Sequence, residues 1–232
     1  MKVTAETESN AGSVGILAFS QEQGRDTEQL HLARHAIYKM LSLAYLYPGD
    51  IDWTTFTREL PGVLGEASEV LCLDVREETE VLADMSSSLD FNELCCDHTA
   101  LFINSPNTNR ISPYESVYLE DTIMGQSARR VGEQYEQYGF TVDPQHSYLL
   151  PDHIALELDF MACLIEKAIE SGSFSQDEQC RFFIDHPGKW MHQFLADVKK
   201  RKPKTYFSLL AEMANKFFQY EMRMFSSWNK KM

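Results

Sequence analysis

The sequence predicts an all-α fold, a bundle of about ten helices in two subdomains, from three observations. Apolar residues recur at helical spacing along almost the whole chain. No stretch alternates apolar and polar residues, and no Asn-Gly or Asp-Gly dipeptide marks a hairpin turn. Clusters of Gly, Pro and Ser separate the helical stretches from one another.

In the N-terminal half, the periodicity predicts a helix from Thr27 that Pro48-Gly49 ends. Further helices are predicted over residues 53–60, 66–85 and 91–103, and a polar helix over 127–138 that Gly139 closes. In the C-terminal half, helices are predicted over 152–171, 176–186, 189–201 and 205–228. The intervening residues 140–151 have no clear period, which is typical of a connection.

These elements predict four segments. Residues 1–26 form a flexible N-terminal extension, because their one apolar patch is short and acidic residues precede it. Residues 27–139 form an N-terminal helical subdomain, 140–151 a hinge, and 152–232 a C-terminal helical subdomain. A hinge of this kind permits exchange of a subdomain between two copies, so we expect a monomer or a domain-swapped dimer.

Composition excludes several classes of protein. The chain has 35 acidic and 21 basic residues, a net charge of −14, whereas a general nucleic-acid binder needs a basic surface. No apolar stretch approaches the ~20 residues of a membrane-spanning helix, so stable membrane insertion is not expected. The five cysteines are odd in number, which favours unpaired buried thiols in a reducing cytoplasm.

Charge is also unevenly distributed along the chain. Residues 49–100 contain 13 acidic and 2 basic residues, and residues 199–232 contain 9 basic and 2 acidic residues. The basic run Lys199-Lys200-Arg201-Lys202 resembles a nucleic-acid patch, but cations at a helix C-terminus suit the helix dipole. The acidic first half indicates a basic partner.

The first segment whose side chains could take part in binding or catalysis runs from Leu150 to Met161. Asp152 stands where an N-cap carboxylate would accept backbone N–H groups, and His153 and Glu157 share a helix face. A capping Asp with a structural His–Glu contact is the simplest interpretation. A metal site is the alternative, but this segment contains no CxxC, HxxxH or ExxH pair to support it. No nucleophile elbow, Walker motif or GxGxxG string is present, so neither an enzyme nor a cofactor is predicted.

The second segment, Ile111-Ser-Pro-Tyr-Glu-Ser-Val-Tyr-Leu119, places two aromatic residues around an acid after a Pro-fixed loop. Tyrosines are favoured where a surface binds a partner, because they offer area at low entropy cost. An aromatic-rich loop of this kind is also common in protein cores, so the segment alone leaves both interpretations open.

Together, the two segments resemble the TorD/DmsD family of chaperones for twin-arginine-exported redox enzymes. The resemblance is carried by Ser112 to Leu119, Gly125, Pro151-Asp-His-Ile154 and Glu157 to Met161, with His98-Thr-Ala-Leu-Phe102 as a third string. It extends over residues 28–228. The chain has His98, Tyr114 and Tyr118 where members often have Trp.

The resemblance implies a non-catalytic, all-helical, cytoplasmic chaperone without metal or cofactor. Such a protein binds the twin-arginine signal peptide and the body of a molybdenum-containing reductase and assists cofactor insertion before export. The implied signal-peptide-binding residues are His98, Leu101, Pro113, Tyr114, Glu115, Tyr118, Gly125, Asp152, His153 and Glu157. Among them, Asp152 and Glu115 are the candidate partners for the two arginines, and His153 for setting the local charge.

Two other functions stay open at this point. One is a helical regulatory module that responds to a nucleotide, since some members of the resembled family interact with guanine nucleotides, although no residue pattern places such a site. The other is an uncharacterised metal-dependent hydrolase.

Overall fold

In the computed structural model, which describes residues 11–103 and 111–229, the chain forms ten α-helices and no β-strand within those ranges. The predicted all-α class is therefore confirmed. The helices are α1 (Ala11–Ala44), α2 (Trp53–Val70), α3 (Arg76–Ser88), α4 (Phe91–His98), α5 (Glu115–Glu120), α6 (Gln126–Tyr138), α7 (Ile154–Ser171), α8 (Asp177–Asp185), α9 (Pro187–Arg201) and α10 (Tyr206–Asn229).

Helix α1 begins at Ala11, inside the segment that the sequence assigned to an N-terminal extension. Residues 1–10 lie outside the described part of the chain, and the flexibility of residues 1–26 stays a prediction. From residue 26 onward, α1 packs its apolar face on α7, and these two helices make the most extensive helix–helix contact in the described structure. The apolar face of the helix that was predicted from Thr27 is buried at Ile37, Leu41 and Ala44.

Helix α2 corrects the predicted break between residues 60 and 66. It continues through Pro61 to Val70, and the chain turns only afterwards, where Cys72 adopts a left-handed φ of 53°. A proline in a helix removes one backbone hydrogen bond. Burial of Leu60 and Leu64 on the same face offsets that loss, because both side chains are inserted in the core.

One continuous cluster of buried apolar side chains runs through the described helices of both predicted subdomains. Its large, fully buried members include Trp190, Phe160, Phe183, Phe194, Phe207 and Phe217. The connection at 140–151 therefore does not coincide with a gap in the core. The division into two subdomains stays a prediction.

Candidate functional site

The two segments singled out from the sequence lie side by side and form the floor of the site. Tyr114 and His153 make an isolated antiparallel bridge. In it, Glu115 N–H donates to the Asp152 carbonyl at 3.0 Å, and Ile154 N–H donates to the Pro113 carbonyl at 2.8 Å. The Tyr114 and His153 rings meet edge to face, with centroids 5.0 Å apart. We call residues 113–115 and 152–154 the bridge.

An open cleft of about 540 Å³ lies above the bridge. We call it the aromatic cleft, because most of its lining is aromatic or apolar. Its lining comprises Tyr45, Leu46, Tyr47, Asp50, His98, Phe102, Ile103, Pro113, Tyr114, Tyr148, Leu149 and His153. The segment after α1, the end of α4 with the segment that follows it, the bridge and the end of the 140–151 connection all contribute to it.

Two hydrophobic side chains at the rim of the aromatic cleft face solvent. Tyr148 is 59% exposed and Ile103 is 51% exposed, which is unusual for large apolar groups beside a core. Asp50 is the one carboxylate among the described lining residues, and it accepts a hydrogen bond from the Tyr148 hydroxyl. The cleft is therefore an apolar surface with a single negative charge at its edge.

Two histidines line the inner part of the aromatic cleft. Burial lowers the pKa of His98 to about 4 and, with a smaller contribution from His98 and His146, that of His153 to about 3. The ring nitrogens of His98 have no side-chain hydrogen-bond partner among the described residues, and the Tyr45 backbone lies beside the ring. Its ring contacts Tyr47 and Phe102 edge to face, at 5.4 and 4.9 Å between centroids. Both imidazoles are therefore neutral at pH 7 and add apolar, polarisable surface to the cleft.

His153 also corrects the predicted helix start. Its Nδ1 accepts the Ala155 N–H at 3.2 Å, so His153 and not Asp152 is the N-cap of α7. Asp152 turns the other way, and its Oδ2 accepts the Ser116 N–H of α5 at 2.9 Å. The carboxylate caps a different helix because the bridge brings the start of α5 next to it. This hydrogen bond locks the two halves of the site together.

A buried carboxyl pair lies beneath the bridge. Glu115 Oε2 is 2.9 Å from His186 Nδ1, and Glu157 Oε2 accepts the Trp190 Nε1–H at 3.1 Å. Burial and the neighbouring Glu115 carboxyl raise the pKa of Glu157 well above its usual range. The predicted contact between the His153 and Glu157 side chains is absent among the described hydrogen bonds, and the two residues share only a backbone hydrogen bond of 3.0 Å. Instead, Glu157 joins a network under the site.

Gly125 has a structural role that the sequence did not indicate. The Glu120 carboxylate accepts the Gln126 and Ser127 N–H groups at 2.7 Å each and so caps α6. A Cβ atom at Gly125 would lie 2.4 Å from Glu120 Oε2. A glycine is therefore required here for the capping carboxylate to reach the helix start, and Gly125 does not line the aromatic cleft.

Leu101 and Tyr118 also lie outside the lining of the aromatic cleft. Leu101 is in the core, and its carbonyl accepts the Ile111 N–H at 2.9 Å. Tyr118 faces a second cavity of about 600 Å³ between α5 and α9, where its hydroxyl donates to Asp197 Oδ2 at 3.2 Å. Its ring packs on Trp190 at 5.4 Å.

The structure thus divides the ten predicted residues into three groups. His98, Pro113, Tyr114 and His153 line the aromatic cleft, while Glu115, Asp152 and Glu157 lie buried below it. Leu101, Tyr118 and Gly125 lie elsewhere. Sequence reasoning missed Tyr47, Asp50, Phe102 and Tyr148. The aromatic residues directly before Pro48-Gly49, and Tyr148 in the predicted hinge, were the available signals.

The comparison with protein families decides the identity of the fold. The model of the family described as nitrate reductase delta subunit, to which the TorD chaperones belong, matches residues 68–196, more than half of the chain. The chain belongs to this TorD/DmsD family. The resemblance on which the sequence analysis relied is therefore confirmed.

Curated relatives of this TorD/DmsD family member agree. It is 29% identical over 196 residues to the chaperone protein TorD of Shewanella piezotolerans, covering 78% of this chain and 86% of that protein. It is 28% identical over 169 residues to the chaperone protein TorD of Vibrio cholerae, covering 70% of this chain and 75% of that protein. Both relatives are named as chaperones, which confirms the prediction of a non-enzymatic protein.

A solved structure shares the fold. A redox enzyme maturation protein from Archaeoglobus fulgidus superposes with a TM-score of 0.54 at 22% identity, covering 80% of this chain and 93% of that protein. Together, these comparisons identify the chain as a TorD-type chaperone for redox-enzyme maturation.

Two features of the described residues bear on the predictions about membranes and metals. No helix within 11–103 and 111–229 is long and apolar enough to cross a bilayer. Over the same residues, no group of three or more His, Cys, Asp and Glu side chains could hold a metal ion. Of the five cysteines, only Cys180 is buried, so the expectation of buried thiols is wrong for the exposed Cys72 and Cys96.

Proposed function

We propose that this chaperone acts in the cytoplasm, binds the twin-arginine signal peptide of an exported molybdenum-containing reductase in the aromatic cleft, and assists cofactor insertion before export. The observation that carries the proposal is the lining of the cleft. It is an open apolar trough with aromatic walls and one carboxylate at its rim, built around four of the residues that the resemblance implied. The proposal extends the family's role in redox-enzyme maturation to a specific ligand.

The apolar part of the aromatic cleft matches the middle of a signal peptide, which is apolar and prone to form a helix. The cleft volume of about 540 Å³ holds a few side chains rather than a whole peptide. Exposed Tyr148 and Ile103 at the rim would lose contact with water on binding. Each large apolar side chain that is removed from water contributes about 1.5–3 kcal/mol.

The charged part of the signal peptide requires a different surface. Asp50 can accept a guanidinium at the rim, and the faces of Tyr47 and Tyr114 offer cation–π contacts to an arginine. Residues 49–100, with 13 acidic and 2 basic residues, supply a negative field around this rim. Asp50 is thus the first contact that we assign to an arginine.

Glu115 and Asp152, the carboxylates that the sequence suggested for this task, are fully buried in the structure. A peptide could reach them only if the bridge opened. We therefore give them an indirect role, in which they hold the bridge and so position Tyr114 and His153. A direct contact with the arginines stays a prediction that a structure with bound peptide would test.

Residues 140–151 retain their proposed role as a hinge. The segment carries Tyr148 and Leu149 into the wall of the aromatic cleft, so movement of the hinge would widen or close that wall. Exchange through the same segment would give the predicted domain-swapped dimer. Size-exclusion chromatography with light scattering, repeated with two glycines inserted after Gln145, tests this: a shift in the monomer–dimer ratio is expected if the segment is the hinge.

The experiment that tests the proposed function is isothermal titration with synthetic twin-arginine signal peptides from the organism's own molybdoenzymes, at two salt concentrations. We expect micromolar or tighter binding to one peptide, weakened by salt because part of it is charge pairing. Tyr114→Ala should weaken binding about tenfold, the effect of losing about 1.4 kcal/mol at an aromatic contact.

Tyr118→Ala is the matched control, an aromatic truncation in the cavity on the other side of α5. Circular dichroism would establish that both variants keep their helix content. Loss of affinity in Tyr118→Ala and not in Tyr114→Ala would move the binding site to the α5–α9 cavity. No binding to any signal peptide at either salt concentration would contradict the proposal.

A further inference from the structure

A third cavity, of about 320 Å³, lies where α6, α8 and α9 meet. Each helix contributes a cation to its lining, namely Arg130, Arg181 and Lys189. Such a convergence is unusual on a chain with a net charge of −14. Two acids also line the cavity, and one of them, Asp185, is 3.5 Å from the Lys189 ammonium. Glu133 is the other.

The inner wall of this cavity is His186. The residue is only 4% exposed, and its Nδ1 is bound to Glu115 in the core, 2.9 Å away. His186 lines the cavity, and because Glu115 is bound at Nδ1, Nε2 is the ring nitrogen left for a ligand. A buried imidazole held by a carboxylate on one side is thus left with one free position, on the side of three cations.

The start of α9 lies at the cavity. His186 directly precedes the first turn of this fifteen-residue helix, and Lys189 lies in that turn. His186 is also the C-cap of α8, so the negative end of one helix dipole and the positive end of the other meet there, and the charge of the cavity is set by its side chains. The volume is at the lower end of the range for ligand sites, which fits a small ligand or one group of a larger ligand.

We propose that this cavity, the anion cavity, binds a phosphate dianion, either inorganic phosphate or the phosphate of a small phosphorylated molecule. Arg130 and Arg181 can each donate two N–H groups to phosphate oxygens, and Lys189 can act as a point charge. With the Glu115 carboxyl at Nδ1, a phosphate oxygen at Nε2 would give the imidazole an acceptor at each of its two ring nitrogens.

The anion cavity has a physical connection to the aromatic cleft. His186 contacts Glu115, and Glu115 is part of the bridge whose neighbour Tyr114 lines the cleft. A phosphate in the cavity would strengthen the His186–Glu115 ion pair and so hold the bridge more firmly. We expect bound phosphate to tighten signal-peptide binding. This consequence rests on the proposed function, whereas phosphate binding itself does not.

The test is a titration of the full chain, labelled with ¹⁵N-histidine, with inorganic phosphate at constant ionic strength. A saturable shift of the His186 ring resonances is expected, with a dissociation constant in the millimolar range. Arg181→Gln should weaken binding about tenfold, since it removes a charged hydrogen-bonding partner. Arg129→Gln is the matched control, because Arg129 neighbours Arg130 on α6 but does not line the cavity.

The remaining outcomes decide whether the anion cavity binds phosphate and which molecule supplies that phosphate. Glycerol phosphate binding more tightly than inorganic phosphate would identify a phosphorylated molecule as the ligand, and the reverse would identify the free ion. Equal affinity in the wild type, Arg181→Gln and Arg129→Gln would overturn the site, because binding would then be diffuse. No saturable His186 shift would overturn it as well, regardless of whether signal peptides bind.

Discussion

The aromatic cleft and the cluster around Arg34 both place polar groups in the core, yet they satisfy those groups in opposite ways. Arg34 donates two hydrogen bonds to Glu221 and one to Gln179, all at 2.7 Å, and Tyr38 donates to Glu221 at 2.8 Å. In the cleft, by contrast, the His98 ring has no side-chain hydrogen-bond partner among the described residues.

This difference separates a structural site from a binding site. The Arg34 cluster ties α1 to α8 and α10, and its two charges leave little hydrogen-bonding capacity for a ligand. The aromatic cleft keeps neutral polar groups and exposed aromatic surface that a partner could satisfy. A polar side chain with charged partners in this core therefore indicates stability, whereas a polar side chain without such partners beside a cavity fits the proposed binding site.

The largest expected effect comes from breaking the Arg34–Glu221 pair. Arg34→Met leaves a carboxylate buried without its cation, which costs about 3–5 kcal/mol of unfolding free energy. Urea denaturation followed by circular dichroism measures it. The double variant Arg34→Met/Glu221→Leu should recover much of the loss. A single variant within about 1 kcal/mol of the wild type would show that the pair is not the structural element we describe.

Acid should destabilise the cleft through its two histidines. Because the pKa values of His98 and His153 are lowered to about 4 and 3 in the folded state, the unfolded chain binds their protons more strongly. Stability is then fully present above pH ~6.5 and is lost as the pH falls toward these values. Between pH 7.5 and 5, each histidine should lower the free energy of unfolding by about 2 kcal/mol.

Urea titrations at the two pH values measure this loss. The double variant His98→Phe/His153→Asn removes both titrating groups, while asparagine retains the ability to cap α7. Its stability should change less between the two pH values than that of the wild type. An identical pH dependence in the two proteins would assign the acid sensitivity to other groups.

A smaller effect is expected at Gly125. Gly125→Ala should displace the Glu120 carboxylate from the start of α6 and cost about 1 kcal/mol, the value of a helix cap. Glu120→Ala should cost a similar amount. If Gly125→Ala instead weakens signal-peptide binding with unchanged stability, Gly125 contacts the peptide as the resemblance implied.

The smallest expected effect is at the rim of the cleft. Asp50→Asn should weaken signal-peptide binding by about 0.5–1 kcal/mol and reduce its salt dependence, because an exposed ion pair contributes little. Titration calorimetry at two salt concentrations measures both changes. Glu93→Gln, an exposed substitution of the same charge on α4 and outside the lining of the cleft, is the control. Equal salt dependence in the wild type and Asp50→Asn would exclude Asp50 as a partner for an arginine.

The sequence predicted those parts of the molecule that depend on local pattern. Helical periodicity was sufficient for the class, and the strings around Tyr114 and His153 were sufficient to identify the floor of the cleft. Asp152 was misassigned as the cap of α7, because its partner, the Ser116 N–H, is distant in sequence and only the folded chain brings it close. Tyr47 and Asp50 were missed for the same reason, since the aromatic residues before Pro48-Gly49 do not by themselves show which distant segments they meet.

Glu157 shows a second limit of prediction from the sequence. Its spacing from His153 favoured a contact on one helix face, but its oxygen accepts a hydrogen bond from Trp190, which lies on another helix. Helical spacing shows which side chains share a face, whereas tertiary packing determines which partner a buried group meets. Helix α2 shows the same limit, because the burial of its apolar face in the core outweighed the local preference of Pro61 for a helix break.

The bridge between Tyr114 and His153 also has a consequence for the order of events during synthesis. Its two sides are separated by almost forty residues, and the His98 ring above it packs against Phe207 of α10, with centroids 5.7 Å apart. Contacts at such long range form late, after the intervening chain has been made and has collapsed. The ribosome must therefore produce most of this chaperone before its cleft exists, and a nascent copy has no complete surface to offer a client.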